Sequence, residues 1–407
     1  MRIKKPAIDG LGFARFFRAL LVVMAFSGLL AACQSSTIGS ATDGLADIEP
    51  TLPELAPNPQ GEVFGQGTVR VSLLIPKTAS GNAASVANEI RNGALMAMQD
   101  FGQNDFQLVI KDTQALAAEA QTKANEAISE GSSLILGPLF SSSVSAASAV
   151  TQPAGRTMIA FSNDTSVGRK GVYLLSYTQQ ADTERMVDYA ISRGIRNIHA
   201  FLPNSPVGSL QEAVLRQKGG AIGVNIAVSK YERSPAGIEA ALSAAATNIA
   251  PQAAIYIPEG GQVPSVILAG LQRIGVTLEG RQLLGSGQWE SVKLSNPTFE
   301  GALYTGRDIR NFSSFSTRYE QNYNAKPGVF AALGYDSITL VASLLRAKGP
   351  VEAFQPQTLE NPRGFNGING LFRFRSNGTV ERGLAIYRVE NGVGRVEAPA
   401  PSSFSGL

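Results

Sequence analysis

The sequence predicts an α/β protein whose strands gather into two parallel sheets with helices on both faces. Three observations lead there. Strand-like and helix-like stretches alternate along most of the 407 residues, the signature of successive β-α-β units. The joints between them are short and marked by Gly and Pro. The strands are also too many to sit comfortably in a single sheet.

Residues 69–76 (VRVSLLIP) read as the first strand, and helical spacing of Val86, Ile90, Ala94, Ala97 and Phe101 predicts a helix over 83–101. A strand over 106–112, a helix over 115–129 and an all-apolar strand at Leu134, Ile135 and Leu136 follow, the last stopped by Gly137-Pro138. Ser141, Ser142 and Ser143 stand where a helix N-cap belongs, ahead of Val144, Ala147 and Val150. Such a helix start either holds an anion on its free N–H groups or uses Ser141 only to cap itself. Residues 158–161 form another buried strand, with Ser162, Asn163 and Asp164 at its carboxyl end, where open α/β sheets bind ligands.

The alternation continues with strands near 172–177, 197–202, 224–229, 253–257 and 282–284, and helices over 181–192, 207–218, 238–246 and 263–274. Beyond them, 315–323 and 331–345 read as helices, the second ended by Gly349-Pro350. Strand-like runs at 371–374 and 384–389 flank the hairpin signal Ser376-Asn377-Gly378. Residues 393–407 read as a frayed tail.

The amino terminus has its own logic. Arg2, Lys4, Lys5, Arg15 and Arg18 precede an apolar run over 19–30, too short to span a bilayer and suited to the core of a signal peptide. The run ends in Leu30-Ala31-Ala32-Cys33, which resembles a bacterial lipobox, and Cys33 is the chain's one cysteine. Lipidation of Cys33 and a tether to the periplasmic face of the envelope are therefore expected. Gln34 follows instead of Asp, which favours the outer membrane over the inner. Residues 33–66, rich in Ser, Thr, Gly, Pro and Ala, read as a flexible linker with a reach of about 30 Å. Without residues 1–32 the chain has 30 basic and 31 acidic side chains. The pI of 8.9 thus belongs to the leader, and nothing argues for a nucleic-acid partner.

Several enzyme classes lack their parts. The single histidine, His199, lies within an apolar strand and cannot build a two-histidine metal site. No Gly-x-Ser-x-Gly elbow, Ser-x-x-Lys pair, P-loop or Gly-x-Gly-x-x-Gly fingerprint occurs. A non-enzymatic protein with no cofactor and no metal is expected. Trp289 and Glu290, after Gly285-Ser286-Gly287, fall at a strand end. Trp289 there either stacks on a ligand or packs the lobe interface. Arg307 and Asp308 lie near a chain crossover, where they would latch the lobes.

The stretches VRVSLLIP, NEIRNGALMAMQDFG, LILGPLFSSSVSAASAVTQPAGRTMIAFS, GIRNIHAFLPNSPVGSLQEAV and ALGYDSITLVASLL together resemble the type I periplasmic binding proteins of the leucine/isoleucine/valine-binding group. The resemblance implies two Rossmann-like lobes joined by three crossovers and closing on a ligand. Lobe one would take 67–177 and 306–350, and lobe two 178–305 and 351–392. The candidate ligand residues at the strand ends are Ser141, Ser142, Asn163, Asp164, Trp289 and Glu290, of which Ser141 matches the carboxylate-binding serine of that group. The carboxylate-binding threonine of that group corresponds to Asp164, its lobe-two aromatic to Val207, and its ammonium-binding acid to the neighbourhood of Gly287. A second resemblance, carried by IAFSNDTSVGRKGVYLLSY and FNGINGLFRFRSNGTVERGLAIYRV, is to short lipid-anchored penicillin-binding protein activators. It implies a regulator that touches a peptidoglycan synthase. The alternative is the solute-binding component of an ABC importer, serving an ABC permease and binding amino acids or another small polar ligand.

Overall fold

The computed structural model describes residues 52–310 and 312–404. Its first sheet contains β1 (Glu62–Phe64), β2 (Arg70–Ile75), β3 (Gln107–Asp112), β4 (Ser132–Leu136), β5 (Thr157–Ala160) and β6 (Val172–Leu174), in the order β1-β3-β2-β4-β5-β6. All pairs are parallel except β1 on β3. Alternation along the strands sends neighbouring side chains to opposite faces. Leu134 and Leu136 meet α1 (Asn82–Ala97) and the long helix Val329–Glu352, while Ile135 meets α2 (Ala117–Ser129) and α3 (Ser141–Thr151). Helices therefore cover both faces, as the fold class requires.

The second sheet is built the same way. Its core strands are β7 (Asn197–Pro203), β8 (Asn225–Tyr231), β9 (Ala254–Tyr256), β10 (Leu283–Gly285) and β11 (Leu303–Gly306), all parallel. Helices α4 (Gln179–Ser192) and α5 (Pro206–Gly220) pack on one face, and α6 (Pro235–Ala245) and α7 (Val263–Arg273) on the other. Helix α8 (Phe312–Tyr323) then leads to α9 (Val329–Glu352), which returns to the first lobe and kinks at Gly349, ahead of Pro350. Gly93 and Gly334 let α9 approach α1 closely: a Cβ on Gly334 would lie 2.1 Å from the Ile90 carbonyl oxygen.

Three segments depart from the sequence expectation. The supposed linker joins the fold from Leu52 onward. Arg70 and Lys111 are buried cations in β2 and β3, and buried donors require acceptors. The incoming segment supplies them: Ala56 accepts from Arg70 Nη2 at 2.9 Å, and Gln60 accepts from Lys111 Nζ at 2.5 Å. Glu130 completes the arrangement, 2.8 Å from Lys111 and accepting from the Gln60 N–H at 2.8 Å.

Residues 351–382 do not join lobe two. After α10 (Pro356–Leu359), strands β12 (Phe365–Gly367), β13 (Gly370–Phe374) and β14 (Val380–Arg382) form a separate antiparallel sheet. Phe354, Leu359, Phe372, Phe374 and Val380 enter the core of the first lobe. The hairpin at Asn377-Gly378 turns as its sequence predicts, with Gly378 at φ 80°. The expected tail also begins with a strand: β16 (Val393–Ala398) pairs with β15 (Ala385–Glu390) at the edge of the second sheet. Arg388 and Glu397 join them at 2.9 Å, and Phe404 is buried beneath Arg373. Alternating charge along β16 concealed its pairing.

Candidate functional site

The carboxyl ends of both parallel sheets face a cleft of about 750 Å³. From the first lobe come the start of α1, Leu139 and Phe140 after β4, Phe161 and Asn163 after β5, and Ser176 and Tyr177 after β6. Val329, Phe330 and Leu333 of α9 extend this wall. From the second lobe come Gln179 and Asp182 of α4, the turn Gly287-Gln288-Glu290 after β10, and Arg307 after β11. Parallel strands end together at one edge, so loops distant in sequence converge there.

The polar groups are held by the scaffold. Buried Asp182 accepts from Thr305 Oγ1 at 2.5 Å and from the Gly287 N–H at 3.1 Å, tying α4 to two strand ends. Burial pushes its carboxyl up to about 6, against the pull of those donors. Arg307 Nη2 and Nε donate to Glu290 at 2.9 and 3.4 Å, and the Arg307 guanidinium lies 5.4 Å from the Phe312 ring centre. Tyr177 has a buried hydroxyl with no hydrogen-bond partner among the described residues, and burial pushes it up to about 12. Behind it, Arg382 stacks 4.0 Å from the Tyr177 ring centre and donates its Nε–H to the Ser176 carbonyl at 2.6 Å. Arg382 thus joins the first crossover between the lobes to the third.

The structure brings only part of the predicted site together. Asn163 and Glu290 line the cleft. Ser141, Ser142 and Asp164 follow lining residues in sequence but are not in the lining. Ser141 is inside the first turn of α3, with Phe140 at the capping position, and its hydroxyl bonds the Asp164 carboxylate. That carboxylate also accepts from Ser166 Oγ at 2.6 Å and the Ser166 N–H at 3.0 Å. These donors hold the Asp164 carboxyl below its usual range, the Ser166 hydroxyl most and against partial burial. An internal anion therefore occupies the serine that was expected to receive one.

Trp289 is a packing residue. It is fully buried, donates its indole N–H to the Ile257 carbonyl at 2.8 Å, and packs edge-on against Phe299. Gly285 makes room for the ring: a Cβ there would sit 2.2 Å from it. Of the expected latch, Arg307 reaches the first lobe only through the Phe312 ring, which packs on that lobe's core, and Asp308 makes no side-chain bond across the lobes among the described residues. Glu290 is on the same lobe as Arg307, and Asp308 pairs locally with Arg310. His199 is buried, 2.8 Å from Ser229 Oγ, and burial lowers its pKa to about 4, so it is neutral at ordinary pH. Sequence reasoning missed Tyr177, Asp182 and the apolar wall. Their only signal was position, immediately after strands or at a helix start. Cys33 and residues 1–32 lie outside the described residues.

Two Rossmann-like lobes facing each other across a cleft at their strand ends define a protein of the type I periplasmic binding class. Residues 68–393 match the model of the family described as periplasmic binding protein, and the chain belongs to that family. Solved structures share the fold. A Rhodospirillum rubrum protein described as a branched-chain amino acid ABC transporter superposes with a TM-score of 0.68 at 18% identity, covering 81% of this chain and 99% of that one. The leucine-binding protein LivK of Thermotoga maritima gives 0.56 at 21% identity, covering 81% and 98%. A solute-binding protein of R. palustris, in complex with benzoate, gives 0.55 at 17% identity, covering 84% and 100%. No curated protein matches the sequence.

Proposed function

We propose that this chain is the solute-binding component of an ABC importer and holds a small organic molecule between its lobes. The observation that carries this reading is the cleft itself. It has the size of a small-molecule site, draws its walls from both lobes, and combines aromatic and aliphatic surface with a few fixed polar groups. Relatives of the same fold hold leucine, isoleucine or benzoate. In this reading the protein is non-enzymatic, acts in the periplasm or at the envelope, and is tethered there through Cys33. Its protein partner is a permease.

The test is a thermal-shift screen of the full chain against amino acids, organic acids, sugars, nucleosides and peptidoglycan fragments. A true ligand at one hundred times its dissociation constant adds about 2.7 kcal/mol to stability. A saturable shift with one chemical class supports the reading. A second reading, an activator-like regulator of peptidoglycan synthesis, is favoured by the departures at Asp164, Val207 and Gly287 from amino-acid-binding positions. A flat screen together with direct binding to a penicillin-binding protein would establish that one instead.

A further inference from the structure

The cleft is selective in its charges. Among its lining residues Arg307 is the single cation. Two of its nitrogens face Glu290, while Nη1 makes no hydrogen bond to any described residue. Both lining acids are already engaged, Asp182 by Thr305 and Gly287, and Glu290 by Arg307. The remaining wall is largely apolar, with Val86, Leu139, Phe140, Phe161, Phe330 and Leu333 among its members. Tyr177 lines the same cavity, and its buried hydroxyl, unpartnered among the described residues, is within electrostatic reach of Arg307 and Glu290.

We propose that the ligand is an apolar organic acid without an ammonium group, and that Arg307 binds its carboxylate by exchanging Glu290 for it. The proposal rests on the solute-binding reading and names the ligand class of that site. A zwitterionic amino acid would bury an ammonium with no uncommitted carboxylate to receive it, which is costly. A carboxylate needs only Arg307, whose fork donates to two oxygens at once. The exchange costs little because Glu290, 44% exposed, regains water on leaving, while the more enclosed Arg307, 23% exposed, takes the ligand carboxylate in its place. Glu290 belongs to the short turn Gly287–Ser291 and is 44% exposed, so the exchange would release it toward solvent. Burial of the ligand's hydrocarbon against the apolar wall then drives binding.

The experiment is calorimetric titration of the full chain with two matched pairs. Each pair differs only in the amino group: 4-methylpentanoate against leucine, and 3-phenylpropanoate against phenylalanine. We expect at least one acid to bind and its amino-acid counterpart to bind at least tenfold more weakly. Arg307→Gln should weaken the acid about 30-fold or more, the usual cost of removing one partner of an enclosed charge pair. Glu290→Gln should tighten it several-fold by removing the internal competitor, an effect of opposite sign that a merely structural pair would not produce.

Tighter binding of leucine or phenylalanine would overturn the proposal, as would weaker acid binding by Glu290→Gln. Binding of some other solute class with Arg307→Gln unchanged would overturn it too, while leaving the importer reading in place. Failure of both acids would overturn the proposal, and failure of every class in the thermal-shift screen as well would overturn both.

Discussion

Replacing Asp336 with Asn should remove much of the pH dependence of folding. Asp336 is 3% exposed on α9; one carboxylate oxygen accepts from the Ile368 N–H at 2.7 Å and the other has no partner among the described residues. Burial pushes its carboxyl up to about 7, against the Ile368 N–H and the Arg382 charge. An unfolded aspartate titrates near ~3.9. The folded state therefore binds more protons across the interval between those values, and stability must fall as pH rises through it. Between pH 5 and 8 linkage puts the loss at about 2–3 kcal/mol. Asp182, raised to about 6, adds a smaller loss of the same sign in both proteins and cancels in the comparison. Asn keeps the oxygen that accepts from Ile368 and never ionises. Urea denaturation of both proteins at pH 5 and pH 8, at fixed ionic strength, measures the difference. Equal losses in the two would refute the argument that Asp336 is held protonated by its burial.

Other consequences concern packing and charge. Trp289→Ala should destabilise the fold by about 3–5 kcal/mol in urea titration, the usual cost of emptying a buried aromatic site; a loss below about 1 kcal/mol would return the indole to the surface. Gly334→Ala should lower stability by about 1–3 kcal/mol although alanine is the better helix former, because its Cβ would strike the Ile90 carbonyl oxygen and push α9 off α1. Arg375 holds Glu184 with two bonds of 2.9 and 2.7 Å, joining the third sheet to α4. Burial raises the Glu184 carboxyl, but the Arg375 bonds and charge outweigh it and leave it lowered. Arg375→Gln should therefore cost about 2 kcal/mol at pH 7. That difference should shrink as pH falls through the carboxylate range, which thermal melts at pH 7 and pH 3.5 would check.

The two sheets were legible because side-chain alternation and apolar runs are local properties of the strands. Ile135 between Leu134 and Leu136 already implies two covered faces. The edges were not legible. β1 pairs with β3 more than forty residues further along the chain, and the charges Glu62, Arg395 and Glu397 make β1 and β16 read as loop, although Glu62 and Glu397 are half-buried in ion pairs. A clue did exist in Arg70 and Lys111, cations inside apolar strands that demand acceptors from elsewhere. In the cleft, the strand-end rule located Asn163 and Glu290, but it misplaced Trp289, since the space that receives the indole is made by Gly285. Phe140 and Phe330 look like core residues in the sequence. Only the convergence of two lobes turns them into a wall.

The most direct test of the account is a crystal structure of the protein with the compound that gives the largest shift in the thermal screen. The account predicts density between the lobes, against Phe140, Phe161 and Phe330, with the polar end at Arg307. Ligand density outside the cleft, or a saturated complex whose cleft holds only solvent, would contradict it.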